Sequence, residues 1–135
     1  MVSIQIDYEG SLHCRLKHGP SGAEIVTDAP KDNQGKGEAF SPTDLVAAAL
    51  GACMLTVMGI VAARRGVKLE GAHVDVQKEM AAEPRRIAQL QVLFRMPPGI
   101  AADQRKVLEH AAHTCPVHKS LHPDVAIPVE FRYPD

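Results

Sequence analysis

Val2, Ile4, Ile6 and Tyr8 alternate with Ser3, Gln5 and Asp7, the two-residue period of a strand with one face turned to a core. Leu12, Cys14 and Leu16 alternate with His13, Arg15 and Lys17 in the same way. Gly10 makes the turn between these runs, and Gly19-Pro20-Ser21-Gly22 makes the next. Ala23 to Thr27 reads as a third strand. The chain therefore opens on a three-stranded meander.

The pattern then changes. Residues 28–40 (DAPKDNQGKGEAF) form a polar loop holding Pro30, Gly35 and Gly37, and a loop of that length is usually functional or crosses to a partner. Ser41 follows as a helix cap, with Pro42 at the first helical position and Asp44 three residues after the cap. This is a variant of the capping box. The helix is expected to run to about Arg65 and stop at Gly66. Its stretch from Leu45 to Ala63 is 19 residues without a charge, just enough to cross a bilayer. Yet the stretch is thick with Ala and Gly, has no aromatic belt, and lies among amphipathic strands. A helix apolar all round is a core helix, so the expectation is a long buried central helix and no membrane.

Beyond it, Ala72, Val74, Val76, Lys78 and Met80 share one face of a strand. Ala88, Leu90, Val92, Phe94 and Met96 share one face of the next, with Glu83-Pro84-Arg85-Arg86 in the turn. Residues 101–115 repeat at helical spacing, with Val107, Leu108, Ala111, Ala112 and Cys115 on one side. Pro116 breaks that helix, Pro116 to Leu121 reads as a short new one, and Ala126 to Tyr133 closes the chain as a strand. The order is βββ-α-ββ-α-α-β, an α+β class, in a single domain over residues 1–135.

Composition narrows the function. Lys and Arg number 15 against 16 Asp and Glu, and no basic stripe is interleaved with aromatics, so no nucleic-acid partner is expected. With no Trp, two Tyr and three Phe, aliphatic side chains must fill the core. The start, MVSIQIDYEG, lacks a basic segment leading into an apolar one, so no signal peptide is readable. Three cysteines are too few for a disulfide scaffold. The chain is expected in the cytoplasm, with its thiols kept for packing or chemistry.

Cys53 lies mid-helix with Ala49, Leu50, Thr56 and Val57 one turn away. It reads either as a small core side chain or as a nucleophile for which a cation must be brought from elsewhere in the fold. Cys115 directly precedes Pro116, so it can cap the short helix, where backbone N–H groups favour a thiolate; it can equally be a core cysteine. His110, His113, Cys115, His118 and His122 crowd together, but their spacing fits no standard zinc pattern, and no metal is expected. Lys78 stands on the apolar face of its strand, either snorkelling to the sheet edge or serving a buried thiol. Arg15, on the polar face of its strand, and Arg85 and Arg86 in the hairpin turn complete the candidate cations.

The run Ser41-Pro42-Thr43-Asp44-Leu45-Val46-Ala47-Ala48-Ala49-Leu50-Gly51-Ala52-Cys53 and the later Cys115-Pro116-Val117 together resemble the OsmC and organic-hydroperoxide-resistance family. There a Pro-initiated helix leads through small residues to a reactive cysteine, and a second cysteine begins Cys-Pro-Val. The resemblance covers nearly the whole chain. It implies an intertwined homodimer with sites at the subunit interface, no cofactor, and reduction of small-molecule hydroperoxides. Carried over by position, Cys53 is the peroxidatic thiol and Cys115 the resolving one; a thiol reductant, by resemblance a lipoylated protein, would restore them. The family's activating glutamate falls on Thr43, and in another branch the acid sits at Asp44; Arg15 is the nearest candidate for the activating arginine. Asp44 and Cys53 are nine residues apart, roughly 13 Å along an unbroken helix, so Asp44 would act only through a bridging cation or across an interface. Two other readings stand beside the peroxidase: a dimeric binding module or slow thiol-redox relative whose apolar pocket Cys53 lines, and a metal protein built on the histidines.

Overall fold

The computed structural model describes residues 1–134. It divides into two compact units, Met1–Val46 and Ala47 onward.

The first unit holds an antiparallel sheet of β1 (Ile4–Tyr8), β2 (His13–His18) and β3 (Glu24–Asp28) in that order. The meander is as the alternation predicts, but its burial is not. Ile6 pairs with Leu16, and Leu16 with Ile25, so β-branched and aromatic side chains gather on one face. Ile4, Ile6, Tyr8 and Ile25 of that face are 55, 57, 66 and 51% exposed. The loop 28–40 is fixed by its own backbone. Gly35 N–H bonds to Pro30 C=O, and Gly37 N–H to Ala29 C=O. A Cβ on Gly35 would lie 1.7 Å from the Ala29 carbonyl oxygen, so no other residue fits there. A single 3₁₀ turn, Lys31–Asn33, interrupts the loop, a detail the composition did not announce.

Helix α1 (Pro42–Arg64) joins the units. Its start is the reciprocal box the sequence predicts: Asp44 N–H donates to Ser41 Oγ, and Ser41 N–H to an Asp44 carboxylate oxygen, at 3.0 and 2.9 Å. Its burial is one-sided. Ala47, Leu50, Gly51, Met54, Met58 and Ala62 form a buried seam, whereas Ala48, Ala49, Ala52, Thr56, Ile60 and Ala63 are exposed. The all-round apolar pattern thus meets a core on one side of this chain only. Among the described residues α1 is the one helix whose length and composition would let it cross a membrane.

The second unit continues with β4 (His73–Ala81), β5 (Arg86–Arg95), α2 (Ala102–Ala112), α3 (Pro116–Ser120) and β6 (Val129–Arg132). β4 and β5 are antiparallel, and β6 returns parallel to β5 through the two helices, as parallel neighbours require a crossover. Leu90, Val92 and Phe94 are fully buried, and Phe131 stacks on Phe94 with ring centroids 4.8 Å apart. α1 lies against β4. A Cβ on Gly51 would sit 2.9 Å from Val76 Cγ2 and 3.3 Å from Val74 Cγ1, so glycine lets the helix approach the sheet.

Candidate functional site

Cys53 occupies the edge of the α1 seam. Its neighbours Leu50 and Met54 are buried, Ala49, Ala52 and Thr56 are exposed, and Cys53 itself is half-buried. Partial access is what a reactive thiol needs and an inert core cysteine lacks.

Cys115 is the N-cap of α3 and is fully buried. Its extended backbone, with φ −63° and ψ 140°, turns the side chain over the first turn, where Sγ accepts the His118 N–H at 3.2 Å. The Cys53 side chain lies close enough to interact with that of Cys115. The two motif cysteines therefore meet within one chain, although 62 positions separate them.

Burial pushes the Cys115 thiol above its ordinary value, the nearby Cys53 pushes it the same way, and the His118 and Val117 N–H groups only partly oppose this. Both sequence readings of Cys115, cap and core cysteine, hold at once, and burial dominates the thiol. A helix of five residues carries a weak dipole, and a buried anion costs more than two N–H bonds return. Cys115 thus keeps its proton at neutral pH.

The histidines do not gather into a ligand set. Among the described residues no three His, Cys, Asp or Glu side chains are placed to hold a metal ion. His113 and His118 meet edge to face at 6.0 Å, and His113 meets Phe131 at 6.3 Å. Burial and the neighbouring His113 hold the His118 imidazole below its usual value, hence neutral.

The supporting candidates have local tasks. Thr43 Oγ1 is 3.2 Å from Ser41 Oγ, and Asp44 closes the capping box, so both belong to the start of α1. Arg15, in the first unit, donates to Glu9 at 3.1 Å and lies 3.9 Å from Glu24. Glu9 holds its guanidinium in the charged form. Lys78, half-buried on β4, stands two residues beyond Val76 on the inner face. Because Gly51 meets Val74 and Val76 while Gly59 approaches Leu69, α1 runs opposite to β4. Lys78 is therefore displaced from Gly51 toward the start of the helix, and Cys53 lies the other way. Arg86 donates to the Ile87 carbonyl in the hairpin turn.

Two partnerships go further than the sequence reading, which allowed Cys115 as a cap but named no donor. The His118 amide on Cys115 could have been read from the cap geometry of Cys-Pro-Val-His. The other is in the first unit, where His13 bonds to the buried Asp28 carboxylate and lies 3.5 Å from Glu9. Asp28 also accepts the Glu38 N–H at 3.0 Å, so this pair ties the loop to the sheet. No alternation rule joins residues 13 and 28; only strand register does.

Residues 35–130 match the family model described as OsmC-like protein. No curated protein matched the chain. Among solved structures, one from Psychrobacter arcticus 273-4, provisionally named an osmotic stress induced and detoxification response protein, is 42% identical. It has a TM-score of 0.93, with 98% of this chain and 96% of that one covered. An organic hydroperoxide resistance protein OsmC from Legionella pneumophila is 17% identical with a TM-score of 0.78, covering 97 and 96%. The organic hydroperoxide resistance protein OhrB of Bacillus subtilis is 15% identical with a TM-score of 0.71, covering 98% of each chain. At those two identities the likeness is one of fold.

Proposed function

The chain belongs to the OsmC-like protein family, and on that premise we propose that it is a thiol-dependent peroxidase that reduces organic hydroperoxides. The observation that carries this reading is the interaction between the Cys115 and Cys53 side chains. It joins a half-open thiol to a buried one that holds its proton, which is the division of labour between an attacking and a resolving cysteine.

In this mechanism the Cys53 thiolate attacks the terminal oxygen of the hydroperoxide. The O–O bond breaks, the alcohol leaves with a proton, and Cys53 becomes a sulfenic acid. Cys115 then attacks the oxidised sulfur, its proton goes to the departing oxygen, and water is released as the disulfide forms. A dithiol reductant returns two electrons and two protons; by family resemblance a lipoylated protein supplies it. The cation that assists Cys53 is sought at Arg15 and Lys78. Three free cysteines suit a reducing cytoplasm.

The working form is a homodimer in this reading. It is supported by two apolar surfaces that one chain leaves open, the face of Ile4, Ile6, Tyr8 and Ile25 and the outer side of α1 carrying Ile60. Exposed apolar side chains grouped on one face mark surfaces that bind a partner.

The test is consumption of cumene hydroperoxide with dihydrolipoamide as reductant. The parent protein turns over, Cys53→Ser falls to the uncatalysed rate, and Cys115→Ser reduces a single equivalent before stalling. A Cys53→Ser variant as active as the parent, or a parent that consumes no peroxide, overturns the proposal.

A further inference from the structure

We propose that α3 is a redox-sensitive element, capped by the Cys115 sulfur while the thiols are reduced and released when Cys115 is joined to Cys53. The inference rests on the pairing of these two cysteines proposed above, but not on peroxide being the oxidant.

Three observations converge on it. Cys115 Sγ accepts the His118 N–H at 3.2 Å and also interacts with the Cys53 side chain. α3 is five residues long, and none of them is buried. Its other ties are few and local: Lys119 N–H to the Cys115 carbonyl, Ser120 Oγ to the Pro116 carbonyl, and the edge-on contact of His118 with His113.

Joining the sulfurs changes the first of these. A disulfide requires them to close to about 2.05 Å, with the Cβ–S–S–Cβ angle near ±90°. One side must move. Cys53 is held in a 23-residue helix anchored by Leu50, Met54 and Met58, each fully buried. Cys115 leads into a helix with no fully buried residue, only Val117 and His118 being half-buried, so its side yields. The sulfur then turns toward Cys53 and away from the His118 amide. Without its cap, a helix this short has too few internal bonds to persist, and His118 swings away from His113.

The electron balance is simple. Two thiols lose two electrons and two protons to an oxidant, and one S–S bond forms. Diamide can serve as that oxidant, being reduced to the hydrazine, so the link can be made whether or not the protein reduces peroxides.

The experiment follows the His118 amide by hydrogen exchange in the full chain, with the Leu108 amide of α2 as the internal control. Diamide should form the 53–115 link and speed exchange at His118 by about five- to tenfold, the effect of losing one hydrogen bond, with Leu108 unchanged. Cys115→Ala should show the fast His118 exchange without oxidant, because it has no cap acceptor. Cys115→Ser keeps an acceptor and should stay protected with or without diamide. A link that forms under diamide and not under cumene hydroperoxide supports the release of α3 while removing the peroxidase reading. Failure of diamide to form the link overturns the inference, as does a linked protein whose His118 amide stays as protected as in the reduced form. Equal protection in Cys115→Ala and the parent would also overturn it, since the sulfur would then not be the cap.

Discussion

Cys115 interacts with the Cys53 side chain from a site with no exposed surface, whereas Cys53 stands at the edge of its helix seam. The two thiols are therefore unlike in access and in the ease with which Cys115 gives up its proton. Burial raises the Cys115 thiol, so it is neutral below that raised value and becomes an anion only above the ordinary thiol range. Iodoacetamide should label Cys53 first at neutral pH, and Cys115 slowly until the pH exceeds about 8.5. Mass mapping of the labelled peptides from about pH 6 to 10 checks this. Faster labelling of Cys115 at neutral pH would contradict the asymmetry.

The contact of Gly51 with β4 sets a steric limit. Alanine in mid-helix normally stabilises by up to about 1 kcal/mol over glycine. Here the added Cβ would meet Val76 Cγ2 at 2.9 Å, and overpacking a close-packed site costs about 1–3 kcal/mol. The clash should win, leaving Gly51→Ala less stable by about 1 kcal/mol in urea unfolding. Val76→Ala should partly rescue it in the double variant. A Gly51→Ala protein more stable than the parent would show that α1 does not approach the sheet this closely.

The His13–Asp28 pair gives a pH dependence whose sign is fixed. The bond from His13 holds the Asp28 carboxyl below the usual carboxylate range, assisted by the Glu38 N–H and opposed by burial. A lowered folded-state value means a contribution fully present above the unfolded carboxylate pKa of about 3.9. That contribution is lost as pH falls through the lower folded value. Urea midpoints measured from about pH 6 to pH 2 should therefore decline in acid, and Asp28→Asn should flatten the decline. If parent and variant lose stability in parallel, the pair does not hold the loop.

The uncovered face of β1 bears on assembly. Sedimentation equilibrium at micromolar protein should give twice the chain mass for the parent. Ile6→Asp places a charge in the middle of the apolar face, where burial of an unpaired carboxylate is unfavourable, and should shift the population toward monomer. A monomeric parent would remove the dimer from the proposed function.

Much of the architecture follows from local chemistry. Alternation along residues 2–8, 12–16, 72–80 and 88–96 sets out four strands, and Ser41, Pro42 and Asp44 mark the start of α1, because side-chain period and capping act over a few residues. The Cys115-Pro116 step likewise marks a cap. The sequence by itself determined these elements and nominated both motif cysteines. Tertiary structure decided the rest. The parallel return of β6, the meeting of Cys53 with Cys115 and the His13–Asp28 tie each join residues far apart in the chain, and no short-range pattern encodes them. It also decided which apolar faces find cover. Alternation says that a face is apolar, but burial depends on what lies opposite. That is why β1 and the outer side of α1 read as core in the sequence yet stand open in one chain. The state of Cys115 is tertiary for the same reason: the cap is local, but the desolvation that outweighs it comes from the fold around the sulfur.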